Sequence, residues 1–424
     1  MTDLLNKDYT EKLFRREYAK LLSVTAKLFG PYQINLAEDA VQDTLITALQ
    51  NWRIQGIPDH PTAWLIKVAR NKSIDIIRKQ KRFSLKDESL SHLLTSEYTL
   101  TTTVNEIITD KYIDDDLLRM MFICCHPELS TESQLCLILQ TLCGFSVSEI
   151  AKALVSSYES IEKKLYRAKK TWRDLKLSLE WPEANQIQSR MNAVLTAIYL
   201  LGNEGYHSTH HASLTRPDLL QESLRLNSLL ISHSITNLPE VHALNALILF
   251  MNARYPGRIN QDGTFVNLKN QDRSTWDTSL IEEGNKSLER AMQTKSITRF
   301  HLEAVIAQIH ANSTSYIDTD WTSICTLYDT LNDLYPNHVI AINRAIAMSE
   351  KGDVLNAYTE LKSIEKNSSN HPPYLLYPAL ADVCQKLNLK EEAIINYTSA
   401  LTKSKSEIER KYFKDKISFL SMQT

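Results

Sequence analysis

Glycine and proline are scarce in this chain, 9 and 12 in 424 residues. That leaves few places where a helix must break and favours an all-α chain of long segments. Long apolar runs are missing too. None approaches the roughly 20 residues of a membrane span, and no signal-peptide pattern opens the chain, so no membrane partner and a cytoplasmic location are expected. Six cysteines scattered over such a length exclude a disulfide framework and leave free thiols. Charge of one sign is not in excess. The formal net charge is −2, which excludes a generic polyanion binder. No Ser/His/Asp set, phosphate loop or carboxylate pair stands out, so neither an enzyme nor a cofactor is expected.

The positive charge is concentrated. Up to Ser178 there are 25 Lys and Arg against 23 acids, and beyond it 23 against 27. Within the first part, Gly144 to Lys170 has the spacing of a helix-turn-helix. Ser146 with Glu149 forms a capping box for a first helix, and Ser156 with Glu159 repeats it for a second, leaving Val155 to Ser157 as the turn. In the second helix Ile161, Leu165, Ala168 and Trp172 mark an inward face. Glu162, Lys163, Tyr166, Arg167 and Lys170 then face out, with Lys164 and Lys169 beside them. An ordinary helical pair with a solvated charged face is the competing reading.

A second motif tells against that competitor. LAEDAVQDTLITALQNW from Leu36 is followed, after a polar loop, by AWLIKVARNKSIDIIRKQKR from Ala63 to Arg82. Lys67, Arg70, Lys72, Arg78, Lys79, Lys81 and Arg82 oppose one acid, Asp75, while Leu65, Val68, Ala69, Ile74 and Ile77 supply an apolar side. This is a basic amphipathic helix able to lie along phosphates.

Both segments, in this order, resemble a sigma-70 family factor of the extracytoplasmic-function type from about Tyr9 to Leu177. The resemblance implies that Asp39, Gln42, Asp43 and Leu45 dock on the beta-prime clamp of core RNA polymerase, with the beta flap as a further partner. It implies that Lys67, Arg70, Asn71, Lys72, Asp75, Arg78 and Lys79 capture the minus-ten element of promoter DNA, and that the Gln55–Thr62 loop receives a flipped base. Glu162, Lys163, Lys164, Tyr166, Arg167 and Lys170 would read the minus-thirty-five element. Asn and Asp can hydrogen-bond base edges, Glu can accept from cytosine and Arg can pair with guanine. The domains implied are 1–82 (region 2), a linker 83–113, 114–178 (region 4), and a helical extension from 179 to 424. The linker is rich in Ser, Thr and acids and reads as a flexible segment; the resemblance implies a mimic of nascent RNA, and a passive tether would look similar.

The extension departs from the minimal family pattern. Trp181 and Pro182 mark a break, and apolar residues then recur at helical spacing. Near 338–405 a weak repeat places Ala345 and Ala379 34 positions apart, resembling tetratricopeptide repeats. A protein or peptide regulator on this domain is the partner that resemblance implies.

Three smaller clusters call for a reading. Cys124, Cys125 and His126 match no standard zinc spacing, and MFICCHPEL reads as a buried helix ending before Pro127. Glu204, His207, His210 and His211 read as a polar turn rather than a metal site. Asp272, Arg273, Trp276 and Asp277 read as a structural ion pair with Trp as anchor, a ligand or interdomain contact being the alternative. Besides the sigma factor, two functions stay open: a helix-turn-helix regulator acting without polymerase, and a helical scaffold with a vestigial first half.

Overall fold

The computed structural model describes residues 2–83, 110–154, 156–177, 179–206, 217–260, 264–368, 372–404 and 406–422. These residues are helical almost throughout, and among them no sheet forms, only one antiparallel bridge between Ile259 and Phe265. The expected linker falls largely outside the described residues, as do His207, His210 and His211. The chain divides into two compact units, 1–198 and 199–424.

The first unit begins with α1 (Thr2–Phe29), α2 (Ile34–Gln55) and α3 (Pro61–Phe83). Ile34, Ala37, Ala40, Val41, Thr44, Ala48 and Trp52 are buried along α2, the i, i+3, i+4, i+7 pattern of a helix with one core face. Phe14, Trp52 and Trp64 form an aromatic chain across α1, α2 and α3, each step 5.5 Å between centroids. Gly56 ends α2 at φ 80°, a left-handed conformation that glycine adopts without a Cβ clash, and its N–H donates to the Trp52 carbonyl. The connection to α3 is therefore Gly56–His60, with Gln55, Pro61 and Thr62 inside helices rather than in the loop expected from the sequence.

Next come α4 (Asp110–Cys124), α5 (Thr131–Thr141), α6 (Val147–Ala153) and α7 (Tyr158–Asp174). The MFICC run does end a buried helix: the Cys124 thiol pairs with the Thr141 hydroxyl at 3.2 Å. Burial pushes that thiol up to about 12 despite this hydrogen bond. The unit runs on beyond Leu177 into the start of α8 (Ala184–Tyr206). There Trp181 packs on Phe122, and Arg190 donates to the Phe122 carbonyl at 3.2 Å.

The second unit is built around α10 (Pro239–Arg254), buried on nearly every side. Helices α9 (Pro217–Ser232), α11 (Thr278–Ala291) and α12 (Arg299–Asn312) pack on it. The stretch before α11 differs from the expected ion pair. Asp272 accepts from the Ser274 amide at 2.9 Å, and Asp277 caps α11 through the Ser279 and Leu280 amides. Arg273 instead donates to the His310 carbonyl at 2.8 Å and stacks on Trp276, which is buried as an anchor. Free acids near helix starts are better satisfied by amides than by a solvated guanidinium.

Helices α13 (Trp321–Leu334), α14 (His338–Lys351), α15 (Val354–Asn367), α16 (Leu376–Lys386), α17 (Lys390–Lys403) and α18 (Glu407–Met422) then stack in sequence. The α14–α15 and α16–α17 hairpins repeat, with a register of 36 rather than the 34 suggested by Ala345 and Ala379. Gly352 and Asn388 hold the same left-handed turn, and Ala345/Ala381, Ala357/Ala393 and Leu361/Tyr397 occupy equivalent, fully buried places. The small residues let neighbouring helices approach, and each hairpin buries its apolar face on the next.

Candidate nucleic-acid interface

On α3, Leu65, Ile66, Ala69, Ser73 and Ile77 face the core. Lys67, Asn71, Asp75, Arg78 and Lys79 are exposed, while Arg70 and Lys72 are half-buried at the edge. The expected minus-ten residues thus share one outward face, on which Arg78 lies 3.8 Å from Asp75. Such a face offers cations for phosphates and amide and carboxylate groups for base edges. The side chains of Lys81 and Arg82 lie outside the described residues.

The helix-turn-helix is formed by α6 and α7. The first capping box is present: the Ser146 amide donates to Glu149 at 2.9 Å, and the Glu149 amide donates to the Ser146 hydroxyl at 3.3 Å. Burial disfavours the Glu149 charge, but the Ser146 amide and the Arg15 guanidinium outweigh it and hold the carboxyl below its ordinary value. The second cap is Ser157, not Ser156. Its hydroxyl accepts from the Ser160 amide at 3.2 Å, so α7 starts at Tyr158 and the box with Glu159 does not form. The one-residue shift leaves the faces unchanged. Ile161, Leu165, Ala168 and Trp172 are buried, and Glu162, Lys163, Tyr166, Arg167 and Lys170 are exposed, Tyr166 by 65%.

Two lysines of α7 are engaged inside the protein. Lys164 pairs with Glu132 at 2.6 Å. Lys169 pairs with Glu38 of α2 at 2.6 Å, each side chain only 13% exposed, so in this state Lys169 is not available for the phosphate contact expected of it. Two further ion pairs tie α1 to the helix-turn-helix part: Arg15 to Glu149 at 2.6 Å and Lys27 to the buried Asp116 at 2.8 Å. Gly144, at φ 64°, lies against Tyr18.

On α2, Asp39, Gln42 and Asp43 are exposed and Leu45 is half-buried. Beside them Ile46 and Leu49 are more than half exposed, at 51% and 54%. Sequence reading missed these two, because an aliphatic residue on an amphipathic helix is ordinarily assigned to the core. With Gln42 they make an i, i+4, i+7 stripe, an apolar strip rimmed by acids.

Comparison with known proteins agrees with this geometry. Residues 13–83 match the family profile "Sigma-70 region 2", 119–171 match "Sigma-70, region 4", and 190–292 match a family of unknown function, DUF6596. An uncharacterized protein of Rhizobium meliloti (strain 1021) is 35% identical over 320 residues, covering 75% of this chain and 74% of that one. No solved structure matches. A basic helix and a helix-turn-helix held in one unit, with both sigma-70 regions matched in order, define a transcription initiation factor: the chain belongs to the sigma-70 family. More narrowly, it is a factor resembling the extracytoplasmic-function type that carries a C-terminal helical extension. It binds RNA polymerase and directs promoter-specific transcription, and the two sigma-70 families matched are not enzyme families. No helix among the described residues is long and apolar enough to cross a membrane.

Proposed function

We propose that the exposed strip of α2, Asp39, Gln42, Asp43 and Leu45 together with Ile46 and Leu49, is the surface that docks on the polymerase clamp. The exposed aliphatic pair carries this reading, since burying it on a partner removes apolar surface from water while the acids set orientation. The outward face of α3, from Lys67 to Lys79, engages the melted minus-ten strand. Glu162, Lys163, Tyr166, Arg167 and Lys170 of α7 read the minus-thirty-five duplex, with Lys164 released from Glu132 on binding. Region 2, the linker and region 4 follow the boundaries given above, and the tetratricopeptide-like extension regulates the factor through a protein or peptide partner.

The Lys169–Glu38 pair fits a closed resting form. At roughly 3.4 Å per base pair, elements centred near positions ten and thirty-five lie on the order of 85 Å apart along the duplex. Helices α2 and α7 cannot stay in contact while each module sits on its own element, so polymerase binding separates them. The test is core-polymerase binding by the full chain carrying Leu49→Ser and Gln42→Ala. A fall of at least tenfold in affinity with an unchanged melting temperature supports the assignment, and unchanged affinity removes it.

A further inference from the structure

The region matching the family of unknown function contains a cavity of about 420 Å³. It is floored by α10 and walled by α9 and α11. Its floor is formed by His242, Asn245 and Leu249, at i, i+3 and i+7 of α10, and its walls include Leu224 and Ile231 of α9 and Leu280 of α11. The two polar side chains of the floor, buried beside Leu249, need partners.

Most of that need is met in a fixed network. Asn245 donates to the Ser287 hydroxyl at 3.1 Å and accepts from Asn227 at 3.3 Å, and Ser287 donates to the His242 carbonyl at 3.1 Å. His242 Nε2 bonds to Asn237 Oδ1 at 2.7 Å. Because that oxygen only accepts, Nε2 carries the proton and Nδ1 holds a lone pair. Nδ1 is buried and has no hydrogen-bond partner. Burial and the nearby Arg290 both lower the His242 pKa, which keeps the ring neutral and Nδ1 an acceptor.

The rim adds charge. Lys286 and Arg290, one helical turn apart on α11, line the cavity with exposed side chains, and neither makes an ion pair among the described residues. Glu283 lies one turn before them. The rim is therefore positive by one charge, suited to a monoanion and poorly suited to a dianion.

We propose that this cavity binds a small monoanionic organic acid, with an apolar body between α9 and α11 and a carboxylate on Lys286 and Arg290. Its volume lies in the range that encloses such molecules. The site gives the extension a small-molecule input of its own, and it stands on the cavity alone, whatever the roles of α2, α3 and α7.

The test uses the full chain and 8-anilinonaphthalene-1-sulfonate, a monoanion with apolar rings, titrated by fluorescence and calorimetry. Two variants at exposed positions probe the two halves of the site: Arg290→Glu reverses the rim charge, and Ser228→Trp fills the space beside α9. Thermal melts verify that both fold. The expected result is one saturable site per chain, weakened at least tenfold by Arg290→Glu and lost in Ser228→Trp. Absence of a saturable site in the unmodified chain, or unmodified affinity in either variant, overturns the proposal.

Discussion

Lys169 on α7 sits 2.6 Å from Glu38 on α2, with both side chains largely withdrawn from solvent. Burial raises the Glu38 pKa even though Lys169 pulls it down, and Asp39 next to it raises it further. The pair thus closes the unit at an electrostatic cost, the kind of contact that holds one state without locking it. Lys169→Glu, which places two carboxylates face to face, is expected to open the contact. Hydrogen exchange of α7 amides in the full chain should rise several-fold, and the exchanged pair Glu38→Lys with Lys169→Glu should restore protection. Unchanged exchange in the single variant would show that the pair does not hold the modules together.

Arg167 is exposed at the centre of the outward face of α7, where no ion pair with another side chain among the described residues restrains it. A bidentate contact to a base is worth about 1–3 kcal/mol, so Arg167→Ala is expected to weaken recognition of the upstream element about 5- to 150-fold. Lys170→Ala should weaken all duplexes alike and lower the salt dependence. Binding titrations at two salt concentrations separate the two behaviours; equal loss on every sequence for both variants would remove Arg167 as a reader.

His310 provides a pH signature for the second unit. Burial first, then the charges of Arg254 and Arg273, push its imidazole down to about 3, against an ordinary value of 6.5. Between these values the unfolded chain takes up a proton that the folded chain does not. Its contribution is therefore full above pH 6.5 and is lost progressively as pH falls toward 3. Between pH 6.5 and 5 the loss is about 2 kcal/mol. Denaturant midpoints should show a steeper acid decline for the natural chain than for His310→Gln. Parallel curves would mean that His310 is not buried as described.

All six cysteines are buried and free of disulfides. Burial pushes Cys136 and Cys384 up to about 11, so thiolate is rare at pH 8. A thiol-specific reagent is expected to label none of the six within minutes in the native protein and all six in denaturant. Rapid native labelling of Cys124 or Cys125 would contradict the packing at the end of α4.

What could be read from sequence was local. The burial faces of α3 and α7 follow from helical spacing, which depends only on the chain's own geometry. The cap of α7 was misplaced because Ser156 and Ser157 each offer a hydroxyl three residues before an amide, and the choice between them is made by how Ile161 seats in the core. The hairpin register of 36 shows only when the left-handed turns at Gly352 and Asn388 are aligned; small residues alone allow 34. Ile46 and Leu49 were hidden because composition cannot tell an apolar residue that meets the core from one that stays exposed. Lys169 with Glu38, and the facing walls of the cavity contributed by α9 and α11, join residues distant in sequence, which periodicity does not encode.

The most direct test of the account is run-off transcription with purified core RNA polymerase over a fragmented genomic library, comparing the full chain with Arg167→Glu. The account expects initiation by the natural chain at start sites sharing one upstream and one downstream motif, with the upstream motif no longer selected by the variant. Duplex binding by the natural chain without any initiation would contradict it.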